Sequence, residues 1–286
     1  VGKMTVALEI ARAAACTRDG AWRCPCDSCE RHRLLADPFA VVVAAAGNLA
    51  AEIPAALGAW VREGSRGTRY LAFRSLRMLA RRFDPALIDH RKPRDRTQRL
   101  GETLSELLED LDPSGGSSDL TEEADRSSLA TSLRDTALSL LAEPDLGLPG
   151  VDAIRGIRSF LHSVPRPATV ILEDAELLQD SARNAILKIL EEPPTDVRFV
   201  LLSSRPEQLI PTVRSRVRPY ELGQRDAATE AEVLRRVFHA EPSPLAAFFS
   251  NALGIDSEAI RSAVAETLSR PEAASAILPA ALKQAG

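Results

Sequence analysis

Cysteine, long apolar runs and surplus positive charge are all scarce in this chain, and each scarcity excludes something. The four cysteines, Cys16, Cys24, Cys26 and Cys29, crowd into one short stretch, so they cannot staple distant parts of a fold and point to metal rather than disulfides. The longest apolar runs, such as Phe39 to Ala46, are far too short to cross a bilayer, and no charged-then-apolar segment opens the chain. A cytoplasmic address is the expectation. Net charge is −4 and the sequence pI about 5.7, so no overall basic field drives the chain onto nucleic acid, and any such contact must be local.

What is present is enough apolar material for a sizeable core. The 286 residues are 45% hydrophobic, which suggests two domains on length. Residues 3 to 15 predict a helix with Val6, Ile10 and Ala13 at helical spacing, and the β-branched run from Phe39 to Ala44 predicts a buried parallel strand. From about 51 to 148, helical stretches alternate with charge blocks around a Pro113–Ser118 spacer, which reads as a helical insertion with a flexible joint. Its first part is basic, from Arg62 to Arg99, and the segment from Glu102 to Asp112 is acidic, so the two blocks can neutralise each other. Strand and helix then alternate again through Thr169–Leu172, a helix from about Ser181 to Glu192, and Arg198–Leu202, the wiring of an α/β sheet. After Leu222 the pattern is helical and Ala-rich, suited to a small lid.

Several groups in this frame carry chemistry. Glu173-Asp174 follow a strand directly, where parallel sheets bind ligands and where two carboxylates can hold Mg²⁺ and orient water; taken alone, the dipeptide reads rather as two solvated acids in a turn. The helix after them has an apolar stripe of Ala182, Ala185, Ile186, Ile189 and Leu190, begins at Asp180 or Ser181, and stops at Pro193-Pro194. Glu191 and Glu192 oppose its dipole and call for a cationic partner. Ser203-Ser204 place hydroxyls at a second strand end, able to sense a terminal phosphate or simply to form a turn. Arg214 and Arg216 flank Ser215, and an arginine there can reach across to another subunit's nucleotide.

The string Asn184 to Pro194, then Phe199 to Ser204, then Pro211-Thr-Val-Arg-Ser-Arg216, resembles the bacterial DNA polymerase III clamp-loader AAA+ family in order and spacing. Gly2-Lys3-Met4-Thr5 resembles the end of that family's phosphate loop, and Cys16 falls where its zinc module begins. The resemblance implies an AAA+ domain over 1–222, an α/β P-loop-type parallel sheet with flanking helices, holding a zinc module at 16–32 and the insertion at about 51–148. A helical lid over 223–286 would follow, with the family's collar short or absent. It implies a Walker B pair at Glu173 and Asp174, a sensor hydroxyl at Ser203 or Ser204, and an arginine finger at Arg216 acting in trans. It further implies ATP/Mg²⁺ at Gly2, Lys3 and Thr5, and structural Zn²⁺ on Cys16, Cys24, Cys26 and Cys29. The implied partners are the gamma/tau and delta subunits, the sliding clamp and primer-template DNA.

The departures from the family pattern sharpen the expectation. Met4, a soft thioether, stands where Ser or Thr normally holds Mg²⁺, and the Walker pair reads Glu then Asp, the reverse of the usual order. Cys24 and Cys26 are separated only by Pro25, so His32 is an alternative ligand to Cys24. An impaired hydrolytic site beside an intact Arg216 implies a delta prime-like stator, with a gamma/tau-like ATPase as the alternative. A third reading makes Arg62–Arg99 a DNA-contacting arm, opposed by its slight aromatic content (Tyr70, Phe73, Phe83) and its acidic neighbour. The opening Val1-Gly2-Lys3 reads as starting inside a motif.

Overall fold

A computed structural model describes residues 2–83, 87, 95–114, 120, 122–143, 150–163, 167–252 and 262. Among these, three strands form one parallel sheet in the order β1 (Ala40–Val43), β2 (Ala168–Leu172), β3 (Val197–Leu201). The register runs from Ala40↔Thr169 to Val43↔Leu172 on one side of β2 and from Ala168↔Val197 to Leu172↔Leu201 on the other. Every residue of β1 and β2 is buried, as continuous apolar runs require when both sheet faces are covered. The strands stop at the same level, so Ala44-Ala45, Glu173-Asp174 and Leu202-Ser203-Ser204 emerge side by side along one edge.

Strand alternation separates two cores. Val41, Val43, Val170 and Leu172 face helices α7 (Val151–Ser163) and α8 (Asp180–Glu191) through Ile154, Ile157, Ala182, Ile186 and Ile189. Val42 and Ile171 face the other way, onto α1 (Lys3–Ala14) and a larger helical mass. The predicted stripe of α8 packs as expected, Ala182, Ile186 and Ile189 fully buried and Ala185 and Leu190 partly, but its N-cap is Gln179, not Asp180 or Ser181, and no side chain caps it. The first expected helix is present as α1. Ala7, Leu8 and Ala11 pack inward and Val6, Ile10 and Ala13 are exposed.

The stretch from 51 to 148 contains most of α3 (Ala46–Glu63), then α4 (Arg66–Ala80), α5 (Asp95–Leu111) and α6 (Glu123–Leu141). Leucines at helical spacing, Leu104, Leu108 and Leu111 in α5 and Leu133 and Leu140 in α6, lock these helices onto Ile53, Trp60 and Leu76. That cluster is continuous with α1 and the sheet, so these helices share a core with the strands. Of the expected joint, Pro113 and Ser114 are described and the rest lies outside the described residues. The basic block meets the acidic helix differently from simple charge pairing: Arg69 donates to the carbonyls of Asp110, Leu111 and Asp112 at the α5 C-terminus. Arg62, Arg81 and Arg82 likewise donate to backbone carbonyls.

Two further helices, α10 (Ala227–Val237) and α11 (Leu245–Ala252), follow the four-residue α9 (Pro211–Arg214). Asp226 caps α10 by accepting from Thr229 N at 2.7 Å. Phe238, Phe248 and Phe249 stack in tilted and edge-on pairs and seat this end of the chain on Ala55 and Leu71. The remainder of the expected lid lies outside the described residues apart from Ser262. Among the described residues no helix is long and apolar enough to cross a membrane.

Candidate functional site

The common strand edge is also where α1 begins. Gly2 adopts the left-handed conformation at φ 79° as the helix N-cap, and its carbonyl accepts from Val6 N at 3.0 Å. A β-carbon on Gly2 would sit 3.2 Å from Arg225 Nη2, so a larger residue there would nudge that guanidinium besides straining the left-handed backbone. Lys3 Nζ donates to Ser204 Oγ at 2.8 Å, joining groups 201 residues apart. The predicted loop lysine and the predicted sensor hydroxyl thus meet at a helix N-terminus, a position suited to anions. Thr5 does not join them: it is exposed and lines a separate cleft with Leu8 and Tyr70, while Met4 packs against the main core.

The two acids of the predicted Walker pair have unequal surroundings. Glu173 Oε2 accepts from Ala45 N at 2.7 Å and Oε1 from Asn48 Nδ2 at 3.0 Å, so the carboxylate caps the start of α3. Burial raises its pKa, and those two hydrogen bonds work against the rise. Asp174, in the left-handed region at φ 51°, is also pushed up by burial and by the charge of Glu176, while Lys3 and Arg205 pull it down. Asp174 is therefore the acid that senses the lysine.

A third acid, Glu176, escaped sequence reasoning. It is 6% exposed, and Oε1 accepts from Ser204 N at 3.1 Å. Burial works to raise its pKa, but hydrogen bonds from its own backbone, from Ser203 and from the Ser204 and Arg205 amides outweigh burial and leave it lowered. Its Oε2 is buried without a hydrogen-bond partner. The available signal was an acid two residues past the pair, which nothing in the spacing distinguishes from a turn residue. Ser203 Oγ accepts from Arg205 N at 3.1 Å, which places Ser204, not Ser203, against Lys3.

Arg216 lies just past α9, about one-third exposed. Its Nη2 meets Glu191 Oε1 at 2.6 Å and its Nη1 donates to Thr212 O at 2.8 Å. This is the cation that the α8 C-terminal acids called for. Glu191 holds the guanidinium beside the end of its own helix.

The cysteines form a second, separate site. All four sulfurs lie within 4.8 Å of one another, with Cys16–Cys24 at 3.5 Å and Cys16–Cys26 at 3.8 Å. A tetrahedral ion with sulfurs at its usual bond length needs about 3.8 Å between them. The cluster therefore fits a four-thiolate metal. The module is not a bare loop, because Cys26 caps α2 (Asp27–Arg33) and Cys24, Cys26 and Cys29 are buried. His32, the alternative ligand, is not part of this close group; its Nδ1 is 2.9 Å from Ser28 O and 3.5 Å from Asp37. Burial pushes the Cys29 thiol up to about 12, and Arg12, which donates to Cys29 Sγ at 2.8 Å, works against that. Arg12 is itself buried and also bonds Glu9 and Gly20 O, tying the module to α1.

Residues 135–226 match the family described as DNA polymerase III, delta subunit. The chain is 45% identical over 76 residues to DNA polymerase III subunit delta' of Escherichia coli, a match covering 26% of this chain and 23% of that protein. It is 35% identical over 96 residues to the delta' subunit of Pseudomonas aeruginosa (32% of this chain, 29% of that one). Against the gamma/tau subunit of Mycobacterium bovis it is 33% identical over 95 residues, covering 32% and 16%. Each match spans less than a third of the relative's length. A solved gamma subunit-related protein of Thermotoga maritima is similar at 28% identity over 42% of this chain and 43% of that one, with a TM-score of 0.28. The matched region takes in Glu173, Ser204 and Arg216, so the similarity to DNA polymerase III delta' and gamma/tau subunits reaches the strand-edge residues and Arg216 and covers about a third of the chain.

Proposed function

We propose that this chain acts as a delta prime-like stator: it lends Arg216 to ATP hydrolysis in a neighbouring gamma/tau-type subunit, and its own site hydrolyses little. In that role it works with gamma/tau and delta subunits to load the sliding clamp on primer-template DNA. The observation that carries the reading is the engagement of Glu173. The acid at the position of the family's metal-binding carboxylate has both oxygens on the first turn of α3. Met4 offers no hydroxyl to Mg²⁺, and Thr5 is turned into another cleft. Arg216, by contrast, is held by a partly exposed ion pair that a more highly charged anion can displace. Once displaced, its planar, permanently charged guanidinium neutralises charge on the transferred phosphoryl group. The cysteine module would hold Zn²⁺, which supplies folding energy and no chemistry in a closed four-ligand site.

A gamma/tau-like ATPase is the second reading, favoured by one observation. Gly2, Lys3 and Ser204 still form a phosphate-type corner at the α1 N-terminus. Hydrolysis by this chain alone, and mixed with an active clamp-loader ATPase, separates the two. We expect no turnover alone, and a mixture whose rate falls about 1,000-fold or more with Arg216→Ala, the usual worth of an arginine finger. Turnover by the isolated chain that Lys3→Ala abolishes would establish the second reading instead.

A further inference from the structure

A cleft of about 440 Å³ lies between the cysteine module and α4, and its lining includes none of Lys3, Glu173, Asp174 or Ser204. Four arginines and one glutamate line it, giving it three net positive charges in a chain whose total is −4. The glutamate, Glu9, is already matched by Arg12. That leaves Arg23, Arg33 and Arg74, none of which has a carboxylate partner among the described residues. They come from three elements: Arg23 from the cysteine loop, Arg33 from the end of α2, and Arg74 from α4. Three charges supplied by separate elements of one cleft suit a ligand carrying repeated charges more than one with a single carboxylate.

The aromatic lining narrows the ligand further. Trp22 is 67% exposed, an unusual position for a large indole, and it borders the cleft. Arg33 donates to Trp22 O and to Cys24 O, both at 2.9 Å, so the backbone under the indole is pinned. Tyr70 donates to Arg33 O at 2.6 Å and fastens α4 to the same point. An open indole on a fixed backbone, between guanidinium groups that no carboxylate neutralises, is a stacking platform beside phosphate binders.

We propose that this cleft binds single-stranded nucleic acid, with phosphates on Arg23, Arg33 and Arg74 and a base stacked on Trp22. An acidic peptide would satisfy the charges but leave the indole unused. The proposal concerns a surface that Arg216 and the phosphate-type corner do not share, and binding there requires neither nucleotide nor other subunits.

The test uses the full 286-residue chain and a fluorescein-labelled thymidine 15-mer, followed by anisotropy over a salt series and by intrinsic tryptophan emission. The chain has two tryptophans and Trp60 is 1% exposed, so quenching on binding reports Trp22. We expect quenching, and a log–log salt slope of about −2 for three phosphate contacts to a single strand. The double variant Arg23→Ala/Arg74→Ala should weaken binding about tenfold or more at low salt and flatten the slope by about 1.4, with its thermal melt unchanged. Trp22→Ala should cost about tenfold, and Lys3→Ala nothing. An affinity indifferent to the arginine pair, or binding without quenching, overturns the proposal. So does a polyglutamate peptide that binds more tightly than the oligonucleotide with the same arginine dependence, which would make the cleft a dock for an acidic protein segment. All of these outcomes leave the stator reading to its own hydrolysis assay.

Discussion

The cysteine cluster and the strand-edge site are assembled in opposite ways. The first draws all its sulfurs from Cys16 to Cys29 and needs only one short helix and a turn to bring them together. The second joins Lys3 to Ser204 and Ala45 to Glu173, across 201 and 128 residues, and exists only once the sheet is in register. A local site tolerates drift in the rest of the chain, whereas a site built from strand ends inherits every shift in packing.

The sharpest way to break this contrast is to remove a sulfur. Cys29→Ser, or a strong chelator, should lower the melting temperature by about 10 °C or more, since a structural thiolate metal contributes several kcal/mol to folding. Metal analysis of the purified chain should find stoichiometric zinc, and a melt indifferent to both treatments would mean the sulfurs hold nothing. Glu173→Ala should have a smaller effect, about 1 to 2 kcal/mol by denaturant titration, because it uncaps α3 while leaving the strands intact. The same residue gives a pH signature. A carboxyl with its pKa raised by burial binds its proton more tightly folded than unfolded, so its contribution is full below the ordinary glutamate range and is lost as pH rises through the raised value. Glu173→Gln should remove that fall from the stability profile, and a profile unchanged from wild type would count against the burial described. The smallest effect belongs to Arg216→Ala. Its ion pair is half exposed at Glu191, so stability should change by no more than about 0.5 kcal/mol. A large drop in melting temperature would mean the arginine is structural.

How far the sequence can be read follows the same division. The first two strands are legible because parallel strands buried on both faces are continuous apolar, largely β-branched runs, and the expected segments at Phe39, Thr169 and Arg198 fall within a residue of those observed. The cysteine cluster is legible for its locality. Even the unfavourable acids ending α8 signal a cation, and Arg216 is that cation. What spacing does not carry is orientation and long-range partnership. It cannot say which side of an alanine-rich helix turns inward, and in α1 that side carries Ala7, Leu8 and Ala11 while Val6 and Ile10 stay exposed. Nor can it say that Glu173 reaches back to Ala45, that Glu176 lies under Ser204, or that Arg12 ends on a sulfur. Each of those contacts depends on where two separate elements come to rest.

The tether between Glu191 and Arg216 amounts to a threshold. A guanidinium already satisfied by a carboxylate has no reason to leave for another single negative charge, since the exchange returns what it gives up. Only a denser anion tips the balance, and a nucleoside triphosphate presents one where its spent product presents less. In the proposed role, Glu191 would serve as the internal standard against which a neighbour's nucleotide is weighed, so that the arginine commits to a charged site and falls back when the charge has gone.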